Sequence, residues 1–323
     1  MSSSDQTEIS MKPPEISPVP EGVQRPLWSV MIPTYNCAKY LRQTLESVLS
    51  QDPGPENMQI EVVDDCSTLD DPESVVNAVG KSRVAFYRKP SNEGAIANFN
   101  TCIERSRGHL VHILHGDDWV NPGFYSAIEK MSSENSGAAL LSVRCFYTDQ
   151  EGWYTGLTPR LNCLENCSKI VTDFYLGNPL QFAGVVIRRA FYEKHGGFIL
   201  ELAHTADWEM WTRAISRAAG IVSPAVLACY RIFEANDTGR LMRTAHNLVD
   251  RDRLFKLLQS RHIDFPVSAA RKKQVRIARS QEQKFKAIGD KAAESANRKY
   301  WKSIANPIEQ GFWALTDLVR RIC

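Results

Sequence analysis

The sequence predicts an α/β fold: a mostly parallel, Rossmann-like sheet flanked by helices, continued by a helical C-terminal extension. Three observations carry that prediction. Short apolar runs of strand length recur at 28–33, 59–65, 84–89 and 110–114. Segments with helical spacing of apolar residues lie between them, and such alternation argues for βαβ units whose sheet is covered on both faces. From Arg240 onward nothing resembles a strand, and the charged stretches 240–261 and 266–300 read as helices.

Each element has its own signal. Residues 1–26 are rich in Ser, Glu and Pro without apolar periodicity, and are expected to be a disordered lead-in. "WSVMIP" ends at Pro33 and suits a buried strand; "AKYLRQTLESVLSQ" then spaces Leu41, Leu45, Val48 and Leu49 along one helical face. "QIEVVDD" reads as a second buried strand, and "DPESVVNAV" as a helix opened by an acidic cap. "VAFYRK" is a third strand, "GAIANFNTCIERSRG" a helix closing at Gly108, and "LVHIL" a fourth strand. Beyond Tyr147 the pattern loosens: "GWYTGLTPRLNCLENC" is loop-like, and "FAGVVIRR" (182–189) is a strand. "DWEMWTRAISRAAG" is a helix with Asp207 as its N-cap and Gly220 at its end, and "AVLACYRI" (225–232) is the last strand. The sheet domain is thus expected over 27–239 and the helical extension over 240–323. In the closing segment Ile308, Phe312, Leu315, Val319 and Ile322 share a helical face. That face either packs on neighbouring helices or lies on a membrane surface, with Trp313 and Arg320-Arg321 at its edges.

Composition narrows the function classes. With 323 residues, 43% hydrophobic and 24% charged, the chain suits an ordinary globular protein. A net charge of +2 is too balanced for a nucleic-acid footprint, so no nucleic-acid partner is expected. Of eight cysteines, Cys163 and Cys167 are closest, and no His/Cys pair accompanies them to make a zinc site. "MSSSDQTEIS" has neither a basic nor an apolar signal region, and no run approaches the ~20 apolar residues of a membrane span. Reduced thiols and a cytoplasmic location are the corresponding expectation.

In parallel sheets, ligands bind beyond the carboxyl ends of the strands. Pro33-Thr34-Tyr35-Asn36, Asp64-Asp65 and His115 to Asp118 each follow a strand, so three polar clusters converge on one crevice. Adjacent Asp117 and Asp118 repel each other; either they form a solvated turn or they hold a cation. No "GxxxxGK[ST]" loop and no "GxGxxG" fingerprint is present, which argues against P-loop nucleotidases and dinucleotide oxidoreductases. The residues by themselves lead to a nucleotide-like ligand at the top of a parallel sheet, with a turn and a cation site both open for the acidic pair.

The runs "SVMIPTYNCAKYLRQTLESVLSQ", "IEVVDDCST" and "SNEGAIANFNTCIERSRGHLVHILHGDDWVNPGFY", with "TADWEMWTRA" and "YRIFEANDTGR" farther on, resemble the family 2 glycosyltransferases over roughly 28–240. The resemblance implies the GT-A fold, a nucleotide-diphospho-sugar donor (UDP the expected nucleotide) and inversion at the anomeric carbon. By position, Pro33, Thr34 and Tyr35 would border the base and ribose, and Asp65 would accept a hydrogen bond from the base. Asn92 and Gly94 would let the chain pass close to the donor, with Asn98 and Asn100 on the next helix; a capping or core role is the alternative for those two. Asp118 joins the donor-binding set. Asp117 would bind a divalent cation, Mn²⁺ or Mg²⁺, bridging the diphosphate. Asp207 would take the acceptor hydroxyl's proton.

Three positions depart from the family pattern. His115 stands where the metal motif has its first acid, Phe233 where a ligating histidine falls, and Ala206 where an acid precedes the base. His115 replaces the missing imidazole as a metal ligand, supports the ligands from behind without touching the metal, or borders the ribose. The expected partners are the sugar nucleotide and a saccharide or lipid-linked acceptor in surface-glycan assembly. The C-terminal helix would touch the inner face of the membrane. The alternative is a degenerate member that binds sugar nucleotide or partner proteins without turnover, and a nucleotidyltransferase is a more distant reading.

Overall fold

The computed structural model describes residues 11–161, 177–233, 237–261 and 266–322, and divides into two compact units: residues 11–161 and 178–232 make the first, and Gly177 with the chain from Phe233 the second. That boundary falls seven residues before the expected one. Cys163, Cys167 and the end of the loop-like stretch "GWYTGLTPRLNCLENC" lie outside the described residues.

The first unit opens as the sequence predicts. Strand β1 (Trp28–Thr34) leads to α1 (Ala38–Leu49), β2 (Met58–Asp64), α2 (Pro72–Val79), β3 (Ala85–Arg88), α3 (Ala95–Arg105) and β4 (Leu110–Ile113). β2 and β4 flank β1 and β3 flanks β2, all parallel. Every residue of β1, β2 and β4 is buried, as a sheet covered on both faces demands. Asp71 caps α2 as expected, accepting the Ser74 N–H at 3.3 Å. α3 ends at Arg105 instead of Gly108, because Ser106 turns extended at ψ 142°. Gly108 serves the packing of the sheet instead. A Cβ there would lie 2.5 Å from the Trp28 carbonyl carbon, so only glycine lets the chain pass β1 on its way into β4.

Past β4 the sheet is mixed. β5 (Trp119–Val120), α4 (Phe124–Glu134), β6 (Ala138–Thr148), β7 (Tyr154–Leu157), β8 (Val185–Arg188), α5 (Arg189–His195), α6 (Ala206–Arg217) and β9 (Ala219–Arg231) complete the unit. The strand order is β3-β2-β1-β4-β8-β6-β9-β5, with β7 paired to β6. β8 runs antiparallel to both β4 and β6, while β6 and β9 are parallel. Three expected boundaries move. A 3₁₀ turn occupies 182–184, so the strand there begins at Val185, and Arg189 opens α5. The loop expected over 152–167 contains β7, held to β6. The last strand starts at Ala219 because Ala138 pairs with it, which places Gly220 inside β9 and not at a helix end.

The expected disordered lead-in also differs. Residues 11–26 are among those described, and Ile16 is buried. The Pro14 carbonyl accepts the Gly197 N–H at 2.8 Å, and Arg25 donates to the Arg107 carbonyl at 3.0 Å. Prolines that deny a strand or helix its N–H donors still allow an extended strap of this kind.

The second unit comprises α7 (Asp237–Arg243), α8 (His246–Ser260), α9 (Val267–Ala287), α10 (Lys291–Ile304) and α11 (Pro307–Ile322). The helical stretch expected over 266–300 is broken by Gly289, whose φ of +75° suits glycine, and Asp290 then caps α10 through the Ala293 N–H. Leu248, Val275, Ala278, Tyr300 and Trp301 form its core. On α11 Ile308 and Phe312 are exposed; the side chains of Leu315, Val319 and Ile322 lie outside those described.

Candidate active site

The loops at the carboxyl ends of β1, β2, β3 and β4 are bonded to one another. Asp65 N–H donates to the Thr34 carbonyl at 2.9 Å, Lys89 N–H to Asp64 at 2.8 Å, and Gly116 N–H to Pro33 at 3.1 Å. The three polar clusters expected to converge therefore do. Asn36 adopts a left-handed φ of 50°, and its side-chain oxygen accepts the N–H groups of Thr68 and Leu69 at 3.0 Å each. Asp70 lends α1 the cap its own N-terminus lacks, accepting the Ala38 N–H at 2.7 Å.

Asp65 is buried and engaged by its own chain. One carboxylate oxygen accepts the Glu93 N–H at 3.1 Å and the other the Gly94 N–H at 2.8 Å. The buried Lys89 ammonium lies 3.0 Å from it and 2.7 Å from Glu93. Burial alone would lower the Lys89 pKa, but the bonds to Glu93 and Asp65 outweigh it and hold the ammonium charged. Asn92 donates to the Asp65 carbonyl at 3.1 Å, so "SNEG" is folded onto "VVDDCS", and Gly94 holds a φ of +90° at the start of α3. Asn98 donates to the Val63 carbonyl at 2.9 Å. Asn100 makes both its bonds to the Phe198 backbone, accepting at 2.7 Å and donating at 2.9 Å. Thr34 is buried beside Cys37, its hydroxyl 2.8 Å from the thiol, while the Tyr35 side chain is exposed.

At the end of β4, ligand atoms of His115, Asp117 and Asp118 all lie within 4.8 Å of one another. Gly116 must be small here, since a Cβ would sit 2.9 Å from the Cys37 sulfur. Burial, then the charge of Asp117, push the Cys37 thiol up to about 12, so it stays protonated. Asp118 is buried, and its second carboxylate oxygen has no hydrogen-bond partner among the described residues. Burial first and the neighbouring Asp117 second raise its pKa well above the carboxylate range, against the pull of Arg231. Two acids and an imidazole with a buried, unbonded oxygen fit a divalent cation of the Mn²⁺ or Mg²⁺ kind.

Arg231, at the end of β9, holds this turn. Its N–H donates to Asp118 at 2.9 Å, its Nε to the Asp117 carbonyl at 2.9 Å, and its terminal nitrogens to Gln43 and to the Gln150 carbonyl at 2.6 and 2.7 Å. The guanidinium lies over the Tyr40 and Trp119 rings, 4.5 and 4.8 Å from their centroids. Sequence patterning did not single out this residue; a charged side chain closing the apolar run "AVLACYR" was the available signal. Nor did it single out Lys89 or Asn178.

Asp207 is the second residue of α6 and not its N-cap, because Glu209 N–H already bonds to the Thr205 carbonyl at 2.9 Å. Its carboxylate accepts from Asn178 Nδ2 at 2.8 Å and from the Trp208 N–H at 2.6 Å. A cluster of rings connects its helix to the acidic turn. His115 stacks on Phe99 at 4.9 Å and lies 4.6 Å from Phe182, which meets Trp211 edge-on at 5.2 Å. Trp211 follows Asp207 by one helical turn and so shares its side of α6. Ala206 is buried.

The family model of glycosyl transferase family 2 matches residues 29–195. An uncharacterized protein of Mycobacterium tuberculosis (strain CDC 1551 / Oshkosh) is 29% identical over 248 residues, which is 72% of this chain and 76% of that protein. The Escherichia coli UDP-Glc:alpha-D-GlcNAc-diphosphoundecaprenol beta-1,3-glucosyltransferase WfaP is 28% identical over 158 residues, 46% of this chain and 61% of the relative. Among solved structures, Staphylococcus aureus TarS 1–349 in complex with UDP-GlcNAc superposes with a TM-score of 0.56 at 17% identity, covering 88% of this chain and 92% of that one. The mannosyltransferase PcManGT from Pyrobaculum calidifontis, in complex with GDP-Man and Mn²⁺, gives 0.53 at 16% identity, covering 95% and 84%. Both share the fold of this chain.

Proposed function

The chain belongs to glycosyl transferase family 2, and from that premise we propose that it moves a sugar, with inversion, from a nucleoside-diphosphate donor to a hydroxyl of a saccharide or lipid-linked acceptor. UDP is the proposed nucleotide, as in the donors named for WfaP and for the TarS complex. The observation that supports the reading best is the gathering of His115, Asp117 and Asp118 within 4.8 Å at the end of β4. The same ring cluster that borders His115 supports the helix of Asp207.

In this reading Pro33, Thr34, Tyr35 and Asp65 shape the nucleoside pocket, and Asn92 and Gly94 set the path of the chain beside the donor. Asp117, with His115 and Asp118, would hold Mn²⁺ or Mg²⁺, which neutralises charge on the departing nucleoside diphosphate. Asp207 accepts the proton of the acceptor hydroxyl as that oxygen bonds to the anomeric carbon and the bond to the diphosphate breaks on the opposite face. Asn178 and the Trp208 N–H aim the carboxylate for that transfer.

A panel of sugar nucleotides, read by thermal shift with and without Mn²⁺, tests donor and cation together. A true donor at 100 times its Kd stabilises the fold by about 2.7 kcal/mol, enough to move the melting temperature by several degrees. UDP release on adding acceptor separates an active transferase from a sugar-nucleotide binder without turnover. If no nucleoside diphosphate sugar shifts the melting temperature, the donor assignment is wrong.

A further inference from the structure

Charge is divided unevenly between the two units. From Phe233 onward the sequence has nineteen Lys and Arg against ten Asp and Glu; up to Ile232 it has twenty against twenty-seven. Folding sharpens the contrast. Among the residues of the second unit whose burial is described, Asp250 and Glu282 are buried, Asp252 is half-buried, and the half-buried Asp290, Glu294 and Glu309 are paired with Arg243, Arg298 and Arg271. Lys272, Arg276 and Lys284 on α9, by contrast, are exposed, as are Lys291, Lys299 and Lys302 on α10. The two helices form an antiparallel hairpin, with Arg271 bonded to the Ile304 carbonyl near one end and Arg298 to Glu282 toward the other. Among the residues of the unit whose burial is described, the fully exposed charged side chains are thus all cationic. On α11 of the same unit, Ile308 is 83% exposed and Phe312 58%, one turn apart.

We propose that the C-terminal unit is a docking surface for an anionic lipid bilayer. The Lys/Arg faces of α9 and α10 meet phosphate-bearing headgroups, and Ile308 and Phe312 enter the boundary between headgroups and acyl chains. Lysines near an anionic leaflet add binding energy one by one within a Debye length, and the apolar pair adds a share that salt does not screen. Those two side chains decide between a bilayer and a nucleic acid, because a phosphate backbone offers nothing to bury them in. Among the described residues no helix is long and apolar enough to cross a membrane, so attachment is to the surface.

Sedimentation of the full chain with phosphatidylcholine vesicles, and with vesicles holding roughly 30% phosphatidylglycerol, reads this directly at about 0.1 M salt. Binding to the anionic vesicles is expected to be at least about tenfold tighter, and to weaken by about tenfold or more at roughly 0.5 M salt. The triple variant Lys272→Glu, Arg276→Glu, Lys284→Glu should lower it by about tenfold or more, and Phe312→Ser by severalfold, with melting temperatures unchanged because all four sites are exposed. Equal partitioning onto both vesicles overturns the proposal. So does tighter binding to duplex nucleic acid than to the anionic vesicles, or salt-sensitive self-association in place of vesicle binding. No donor or acceptor enters the assay, so its failure leaves the transferase reading standing, and failure of that reading leaves this one standing.

Discussion

At the scale of single residues, the proposed function gives two aspartates different burdens, and they should respond to substitution in different ways. Asp207→Asn keeps the size of the side chain and its place at the start of α6 but removes the capacity to accept a proton. Transfer should fall by about 10²–10⁴, the usual weight of a positioned general base, while donor affinity stays within a few-fold of wild type. Asp117→Ala should act on binding first: donor affinity measured in Mn²⁺ drops about tenfold or more, and affinity measured in EDTA does not change. Retained turnover in Asp207→Asn would take the base role away from it. Activity of the wild type that survives EDTA would remove the cation and leave neutralisation of the diphosphate to side chains. The contrast works because the two residues are held separately, Asp117 on a turn fixed by Arg231 and Asp207 on a helix fixed by Asn178 and the ring cluster.

Between elements, the loop from Gly196 to Phe198 is where α3, α6 and the N-terminal strap meet. Asn100 on α3 bonds both backbone groups of Phe198, Arg213 on α6 donates to the Gly197 carbonyl at 2.7 Å, and Pro14 accepts the Gly197 N–H. Arg213 is itself paired within the helix to the buried Glu209, two residues past Asp207. A Cβ at Gly197 would lie 2.4 Å from the Asn100 side-chain oxygen. Gly197→Ala and Asn100→Ala should each destabilise the fold by about 1–3 kcal/mol, one by overlap and the other by leaving two buried backbone groups unbonded. Together they should cost less than their sum by about 0.5–3 kcal/mol, since the methyl group occupies space the amide has vacated. Chemical denaturation of the four proteins measures this, and strict additivity would show that the two sites are not in contact. This junction also marks what the sequence could reveal. Strands β1, β2 and β4 and the helices between them were legible because burial on both faces leaves unbroken apolar runs, and Asp65, Asp117 and Asp207 because they follow or open such elements. The second half was less so: β6 pairs with strands more than thirty residues away, β5 is only two residues long, and Asn100 and Arg231 owe their roles to partners 98 and 113 residues distant. Spacing along the chain carries no trace of such pairings. Prolines in the lead-in suggested disorder for the same reason, since apart from the Val23–Pro20 turn the strap's hydrogen bonds go to distant residues such as Arg107, Arg189 and Gly197.

For the molecule as a whole, the pH dependence of stability follows from a histidine with no part in the proposed chemistry. His112 lies in β4, buried, stacked on Phe124, with one ring nitrogen 3.1 Å from the Ala183 carbonyl and the other 3.4 Å from the Tyr125 hydroxyl. It thereby ties β4 to the 3₁₀ turn before β8 and to α4. Burial, chiefly, lowers its pKa to about 3; the carbonyl bond opposes this and nearby His115 adds to it. An unfolded histidine titrates near roughly 6.5. Between those values the unfolded chain binds a proton that the folded chain refuses, so stability must rise with pH across the window and fall as acid is added. The contribution is complete above about 6.5 and erodes at up to about 1.4 kcal/mol per pH unit below it. Gln in place of His112 can still donate to Ala183 but has no proton to gain. Unfolding free energies by urea at about pH 7.5 and about pH 5 should therefore show wild type losing about 2 kcal/mol more than His112→Gln, whatever the absolute stability of the variant. Carboxylates titrating in the same range act equally on both proteins and cancel in the difference. Equal losses would mean that His112 takes up its proton within the folded state, and that the contact between β4 and the Phe182–Gly184 turn opens before the rest of the sheet.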